Sequence, residues 1–157
     1  MTALHQIGNK NDGFTLIELV VVISLLAILT ALAVPSFQQT IASTRLSTVT
    51  NELYTSLLQA KSEATRRGTR MTVCKSSDGT SCTSGGSWST GWIGFADAIR
   101  TTATPSIDAG ETVSFVVQSL PSSIVISGNT NVVDYVSYSA DGRSKTVLTG
   151  AFQTGVI

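Results

Sequence analysis

Histidine is all but missing from this sequence; the one copy is His5. A His-based nucleophilic triad and a multi-histidine metal site are therefore excluded. Cysteine is nearly as scarce. Cys74 and Cys82 are the two present, half of what an all-cysteine zinc site needs, and one histidine does not make up the difference. Charge is thin as well. Charged residues make up 13% of the 157, about half of the roughly 25% usual in soluble proteins. Ten cations balance ten anions, which excludes a general polyanion binder acting through bulk charge but leaves room for a local patch. No P-loop, H-E-x-x-H or G-x-S-x-G arrangement occurs, and the carboxylates scatter over turn-like segments. The expectation is a non-enzyme with no cofactor and no metal. The length suits one domain, or a small domain with one long appendage. Serine and threonine, 43 residues together, suit short strands, turns and an extracytoplasmic surface.

The other abundant feature is one apolar run. Residues 14–34, FTLIELVVVISLLAILTALAV, carry a single charge, Glu18. As a helix the run is about 32 Å long, enough for a bilayer core of ~30 Å. A short polar leader with Lys10 and Asp12 precedes it. On the residues alone two readings stand. One is a secretory signal peptide, for which Ala31-Leu32-Ala33 supplies an A-x-A cleavage site and Val34 the new terminus. The other is a retained helix. An acid in such a run costs ~2.5–3.5 kcal/mol at the helix centre and less toward the interface, which a disposable signal has no use for. A partner cation would explain it, and a cut between Gly13 and Phe14 would create one as a new amino group in a neighbouring copy.

The word Gly13-Phe14-Thr15-Leu16-Ile17-Glu18 resembles the class III leader junction of type IV pilins and type II secretion pseudopilins. The resemblance implies that a prepilin peptidase cuts after Gly13 and N-methylates Phe14. It further implies that the apolar helix stays on the protein, first as an inner-membrane anchor and then in a filament core, with Glu18 serving assembly.

Pro35 interrupts the run and predicts a kink, with two separate helices as the alternative. Beyond it Leu46, Val49, Leu53, Leu57, Ala60 and Ala64 recur at spacings of three and four, a stripe that needs a sheet to cover it. Arg66, Arg67 and Gly68 then read as a C-terminal cap. After Gly68 come β-branched and aromatic runs at 69–75, 92–96, 111–120, 123–127, 132–139 and 145–149, separated by turn pairs such as Asp78-Gly79 and Asp141-Gly142. The fold class expected is α+β: a long kinked N-terminal helix packed on a C-terminal antiparallel β-rich globular domain. Its parts are a leader (1–13), a transmembrane or filament-core helix (14–34), an amphipathic second half (35–67) and a head (68–157).

Residues 53–97 narrow the resemblance. Ala60-Lys61-Ser62-Glu63-Ala64, Arg66-Arg67-Gly68, a strand reaching Cys74, Gly91-Trp92-Ile93-Gly94-Phe95 before an acid, and Asp141-Gly142-Arg143 are similar to the GspH/FimT branch of pilin-like proteins. That branch implies a minor pilin or pseudopilin, a low-abundance structural subunit near a filament tip or in initiation of assembly, in a type IV pilus or a type II secretion system. Its partners would be other pilin or pseudopilin subunits, and its C-terminal domain periplasmic on a single-pass anchor. The alternative is a FimT-like DNA-binding minor pilin for DNA uptake. Members usually continue past the Asp-Gly-Arg turn through more strands and a basic tail, so a short form or a truncated chain is expected here. In the compartment implied by the leader, Cys74 and Cys82 are expected to pair across KSSDGTS, which stabilises by ~2–3 kcal/mol in the chain-entropy model; two unpaired thiols are the alternative.

Charge is uneven along the chain. Residues 45–75 hold Arg45, Lys61, Arg66, Arg67, Arg70 and Lys75 against Glu52 and Glu63, while residues 76–157 hold Arg100, Arg143 and Lys145 against six acids. This basic collar would serve subunit docking or a local nucleic-acid contact, or it is simply solvated helix cations. For DNA the cations expected to meet phosphates are Arg66, Arg67, Arg70, Arg143 and Lys145. Trp88, Trp92 and Phe95 would stack on bases or else fill the core.

Overall fold

The computed structural model describes residues 13–99, 102–121 and 123–157, without the side chains of residues 35 and 36. The leader before Gly13 and the cation Arg100 lie outside the described residues. One helix, α1 (Leu16–Arg67), is followed by β1 (Met71–Lys75), a 3-10 turn (Trp88–Thr90), β2 (Trp92–Ala96), β3 (Val113–Val117) and β4 (Tyr135–Tyr138). The chain divides into two compact units, Met1–Thr44 and Arg45–Ile157.

In the first unit α1 runs through Pro35 without a break, so the two-helix alternative is not what forms. Proline removes one N–H from the ladder, and the bonds of its neighbours carry the helix past it. An 18-residue stretch of mean hydropathy 2.8 has none of its residues buried. The hydroxyls within this stretch do not face outward as free groups. Ser24 Oγ donates to the Val20 carbonyl at 2.7 Å, and Thr30 Oγ1 donates to Leu26 and Ala27 carbonyls at 2.9 and 3.0 Å. Length, composition and this internal satisfaction fit a transmembrane anchor.

In the second unit the stripe on α1 is covered. Val49, Leu53, Ala60 and Ala64 are buried, Leu57 packs at the margin, and Leu46, one turn before the first covered residue, stays open. The two alanines carry almost no bulk and let the sheet come close. The helix ends as its residues predict, with Arg66 and Arg67 in the last turn and Gly68 at φ +64°, the left-handed position at which a helix stops.

The four strands form one antiparallel sheet in the order β3-β2-β1-β4. One face meets α1. There Met71, Val73, Trp88, Trp92, Val132 and Val136 join Leu53, Ala60 and Ala64. Trp92 Nε1 donates to Ser56 Oγ at 3.0 Å and Trp88 Nε1 to the Val132 carbonyl at 3.2 Å, so neither indole is left without a partner. Trp88, Trp92 and Phe95 are fully buried; they are core residues and have no face open to a base. The second face is covered as well, by Cys74, Ile93 and Phe95 with Cys82, Ile107, Val113 and Tyr135 around them. At Gly94 the Phe115 ring occupies the space a side chain would need, lying 2.2 Å from where a Cβ would stand.

Two expected strands do not form. Residues 123–127 pair with the 3-10 turn instead. Ile126 N donates to Ser87 Oγ and Ser89 Oγ, and its carbonyl accepts from Trp88 N and Ser87 Oγ, so serine hydroxyls do the work of a neighbouring strand. Residues 145–149 curl into a turn closed by Gly150 N donating to the Thr146 carbonyl, with Gly150 at φ +67°. Only Lys145 and Phe152 form a bridge across it. The other runs form strands shorter than their apolar patterns at β1, β3 and β4, and β2 over 92–96 as expected.

Candidate functional site

The first candidate site is the start of α1. Gly13 and Phe14 precede the helix, both exposed and without regular structure, and Phe14 is 75% exposed. A Cβ added at Gly13 meets nothing within 4 Å. None of the described residues requires glycine there. Thr15 and Glu18 form a capping box. Thr15 Oγ1 accepts from Glu18 N at 3.3 Å, while Glu18 Oε2 accepts from Thr15 N at 3.4 Å and from Thr15 Oγ1 at 3.2 Å. Each residue satisfies a donor that the first helical turn leaves open, and the carboxylate lies at the positive end of the helix dipole. Both bonds to the carboxylate fall on Oε2. Among the described residues Oε1 accepts nothing, so one face of the carboxylate remains for a donor from elsewhere. The T-x-x-E spacing was readable in Thr15-Leu16-Ile17-Glu18, yet composition and charge arguments alone pass over Thr15.

The second candidate is the set of cations, and the structure reorders it. Arg66 binds Glu63 through Nε and Nη2 at 3.2 and 2.7 Å, and Arg67 Nε reaches the same carboxylate. Those hydrogen bonds, Arg66 first, hold Glu63 below the usual carboxylate range. Arg70 turns inward. It is 8% exposed, and its Nη1 donates to Ser137 Oγ at 2.8 Å and to the Lys145 carbonyl at 2.9 Å. Lys75 is fully buried, with Nζ 2.6 Å from Asp134 Oδ1 and 3.0 Å from the Gly86 carbonyl. The basic collar is thus not a continuous surface, and Arg70 as placed cannot meet a phosphate. A buried cation needs close partners because it has lost water, and sequence alone does not say which cations those are.

At the other end of the set, Lys145 Nζ pairs with Asp141 Oδ2 at 3.0 Å. Arg143 is exposed, and its guanidinium lies 5.8 Å from the centroid of the Phe152 ring, a cation–π distance. Ser139, then Lys145, donates to Asp141 and pulls its carboxyl far below the ordinary range. The Asp141–Arg143 turn rests on α1, since a Cβ at Gly142 would stand 3.2 Å from Thr65 Oγ1 and 3.7 Å from Lys61 Cε. The structure therefore brings the Arg66 end of the helix close to Arg143 and adds Lys61, which the sequence reading did not single out for phosphate contact.

A polar network crosses the second face of the sheet. Thr72 Oγ1 donates to Asp97 Oδ2 at 2.7 Å and lies 2.9 Å from Ser137 Oγ. Asp97 is fully buried, and its Oδ1 has no hydrogen-bond partner among the described residues. Burial pushes this carboxyl above its ordinary range, with Glu111 and Asp108 adding to the effect and Thr72 and Arg70 opposing it. Among the described residues no group of three or more His, Cys, Asp or Glu is placed to hold a metal ion.

Cys74 and Cys82 are joined as a disulfide. Inside the loop they close, Asp78 Oδ1 accepts from Thr80 N and Ser81 N, both at 2.8 Å.

A family model described as type II transport protein GspH matches residues 49–156, well over half of the chain. A second, the prokaryotic N-terminal methylation motif, matches residues 8–34. Neither the curated proteins nor the solved structures provide a match.

Proposed function

The chain belongs to the GspH family and carries the pilin-type methylation motif, the marks of a minor pilin or pseudopilin, and we propose that it is a low-abundance structural subunit of a type IV pilus-like filament, acting near the tip or in initiation of assembly. The filament-subunit part of this reading rests on the first helix unit, a bilayer-length apolar rod with no cover of its own and an acid at its start; the tip and initiation role rests on the family resemblance. On this reading residues 1–13 are a leader that prepilin peptidase removes after Gly13, and Phe14 is then N-methylated. Residues 14–34 cross the inner membrane once, residues 35–67 continue the helix, and the head of residues 68–157 is periplasmic, where the disulfide persists.

Glu18 then has two partners in turn. Thr15 satisfies Oε2 within the chain, and the new Phe14 amine of a neighbouring subunit takes Oε1 as the subunit leaves the bilayer. Pairing with that amine neutralises a charge that lipid disfavours. The test is N-terminal sequencing of membrane-extracted protein together with Glu18→Ala. The mature chain is expected to begin at Phe14. The variant is expected to be processed, retained in the membrane and missing from purified filaments. A Val34 terminus, or normal incorporation of the variant, would overturn the reading.

A second reading, a DNA-binding subunit for uptake, is favoured by one contact, the seating of the Gly142 turn beside Lys61 and Thr65. The turn that carries Arg143 then lies against the helix face of Lys61 and Thr65, next in sequence to Arg66. With so few phosphate contacts, binding would be weak, independent of sequence and steeply reduced by salt. Arg143→Gln with Lys145→Gln should abolish retardation of short duplex DNA at low salt.

A further inference from the structure

A sheet of four strands has two outer edges, and an outer edge offers unpaired N–H and C=O groups to any other extended chain. The two edges here are β3 and β4. The pairing of β3 with β2 contains a register shift at Gly94/Phe95, an irregularity of the kind that blunts an edge. The β4 edge is treated differently. Ser137 N donates to Gln153 Oε1 at 3.1 Å, and Gln153 Nε2 donates to the Tyr135 carbonyl at 2.8 Å. The same Nε2 also reaches the Asn131 carbonyl at 2.7 Å. Gln153 is 5% exposed. Its own backbone is anchored, with N donating to the Ser144 carbonyl at 3.0 Å and its carbonyl accepting from Ser144 Oγ at 2.9 Å. Lys145 N supplies the Ser137 carbonyl at 2.9 Å.

The side-chain amide thus presents an acceptor to the N–H of residue 137 and a donor to the C=O of residue 135. A residue on an adjacent parallel strand, opposite Val136, would present the same two groups. Glutamine is the side chain that does this at this reach, because glutamate lacks the donor and asparagine is one methylene short.

We propose that Gln153 seals the outer edge of the sheet, standing in for the peptide group of a fifth strand and keeping β4 from pairing with the same edge of a second copy. Without the amide, Tyr135 O and Ser137 N lose their partners beside Val136, while the Tyr138 end of the strand stays bridged to Ser144. An antiparallel pair of such edges is self-complementary, the condition for a two-fold contact. With both edges blunted, neighbours meet the head through side chains and not through a strand ladder. The inference concerns the head alone and does not depend on the filament reading.

The experiment uses full-length protein in detergent micelles and two variants, Gln153→Ala and Gln153→Met. The second keeps nearly the same length and volume and loses every hydrogen bond of the amide. Amide hydrogen exchange is followed at Ser137, with Val73 in the central strand as the reference for an intact fold, and self-association by sedimentation velocity. Ser137 is expected to exchange about tenfold faster relative to Val73, as the loss of one hydrogen bond implies. The variants are also expected to associate beyond the wild type at the same protein and detergent concentrations. If the alanine variant loses protection at Val73 too, the methionine variant decides. Ser137 exchange unchanged in a variant whose Val73 stays protected would overturn the seal. Fast exchange at Ser137 with no added association would overturn its role against pairing.

Discussion

Two stretches of one helix dispose of their apolar side chains in different ways. From Leu16 to Val34 every residue is exposed, whereas Val49, Leu53, Ala60 and Ala64 are buried against the sheet of their own unit. Both stretches are helical, so backbone hydrogen bonding does not separate them. The difference lies in what each stretch can find to cover it. The later stretch alternates apolar and polar faces, and one sheet suffices. The earlier stretch is apolar all round, and no single face of a domain can cover such a cylinder. Its cover must surround it, as lipid does or as several other helices do. Local sequence sets the helix in both cases, and the distribution of apolar residues around it sets the kind of partner.

The strongest way to break this contrast is Trp92→Ala. It removes a fully buried indole and leaves Ser56 Oγ without its donor. A loss of about 3–5 kcal/mol in head stability is expected, read as a lower denaturant midpoint, while membrane retention is unchanged. Leu25→Asp tests the opposite side. It should cost roughly 2.5–3.5 kcal/mol of insertion, seen as protein lost from alkali-washed membranes, with head unfolding unmoved. Both effects appearing together in either variant would dissolve the contrast. Cys74→Ser with Cys82→Ser is expected to cost the head about 2–3 kcal/mol, measured against the wild type under non-reducing conditions.

The smallest effect concerns pH. Burial raises the Asp97 carboxyl in the folded head above its unfolded value. The stability contributed by its neutral form is then fully present below the unfolded carboxylate range and is lost as pH rises through the raised folded value. Asp97→Asn should flatten that part of the stability–pH curve. An unchanged slope between wild type and variant would show that the decline belongs to other groups.

How much of this was legible depends on how local the deciding forces are. The cap at Gly68, the stripe on α1 and the span of β2 follow from neighbours in sequence, and the residues announced them. Residues 123–127 have the β-branched look of a strand, but the Ser87 and Ser89 hydroxyls bind Ile126 first, and those lie 39 and 37 positions away. Arg70 and Lys75 look like members of a basic surface until Ser137 and Asp134, far along the chain, draw them inside. At the candidate sites the junction at Gly13 and Phe14 was readable as a contiguous word. The meeting of the Gly142 turn with Lys61 and Thr65 was not, because it joins residues some 80 positions apart. Gln153 carried no signal at all, since nothing distinguishes an edge-sealing amide from a surface one before the edge exists.

The hydroxyls of Ser24 and Thr30 have a consequence for movement. Because both are bonded to carbonyls of their own helix, the rod from Leu19 to Val34 shows its surroundings no unpaired side-chain hydroxyl. Its side chains therefore grip by packing, with no side-chain hydrogen bond to prefer one axial position over the next. A polar contact that fixes register along that direction would have to come from the end of the rod, where Glu18 is the one charge among the described residues.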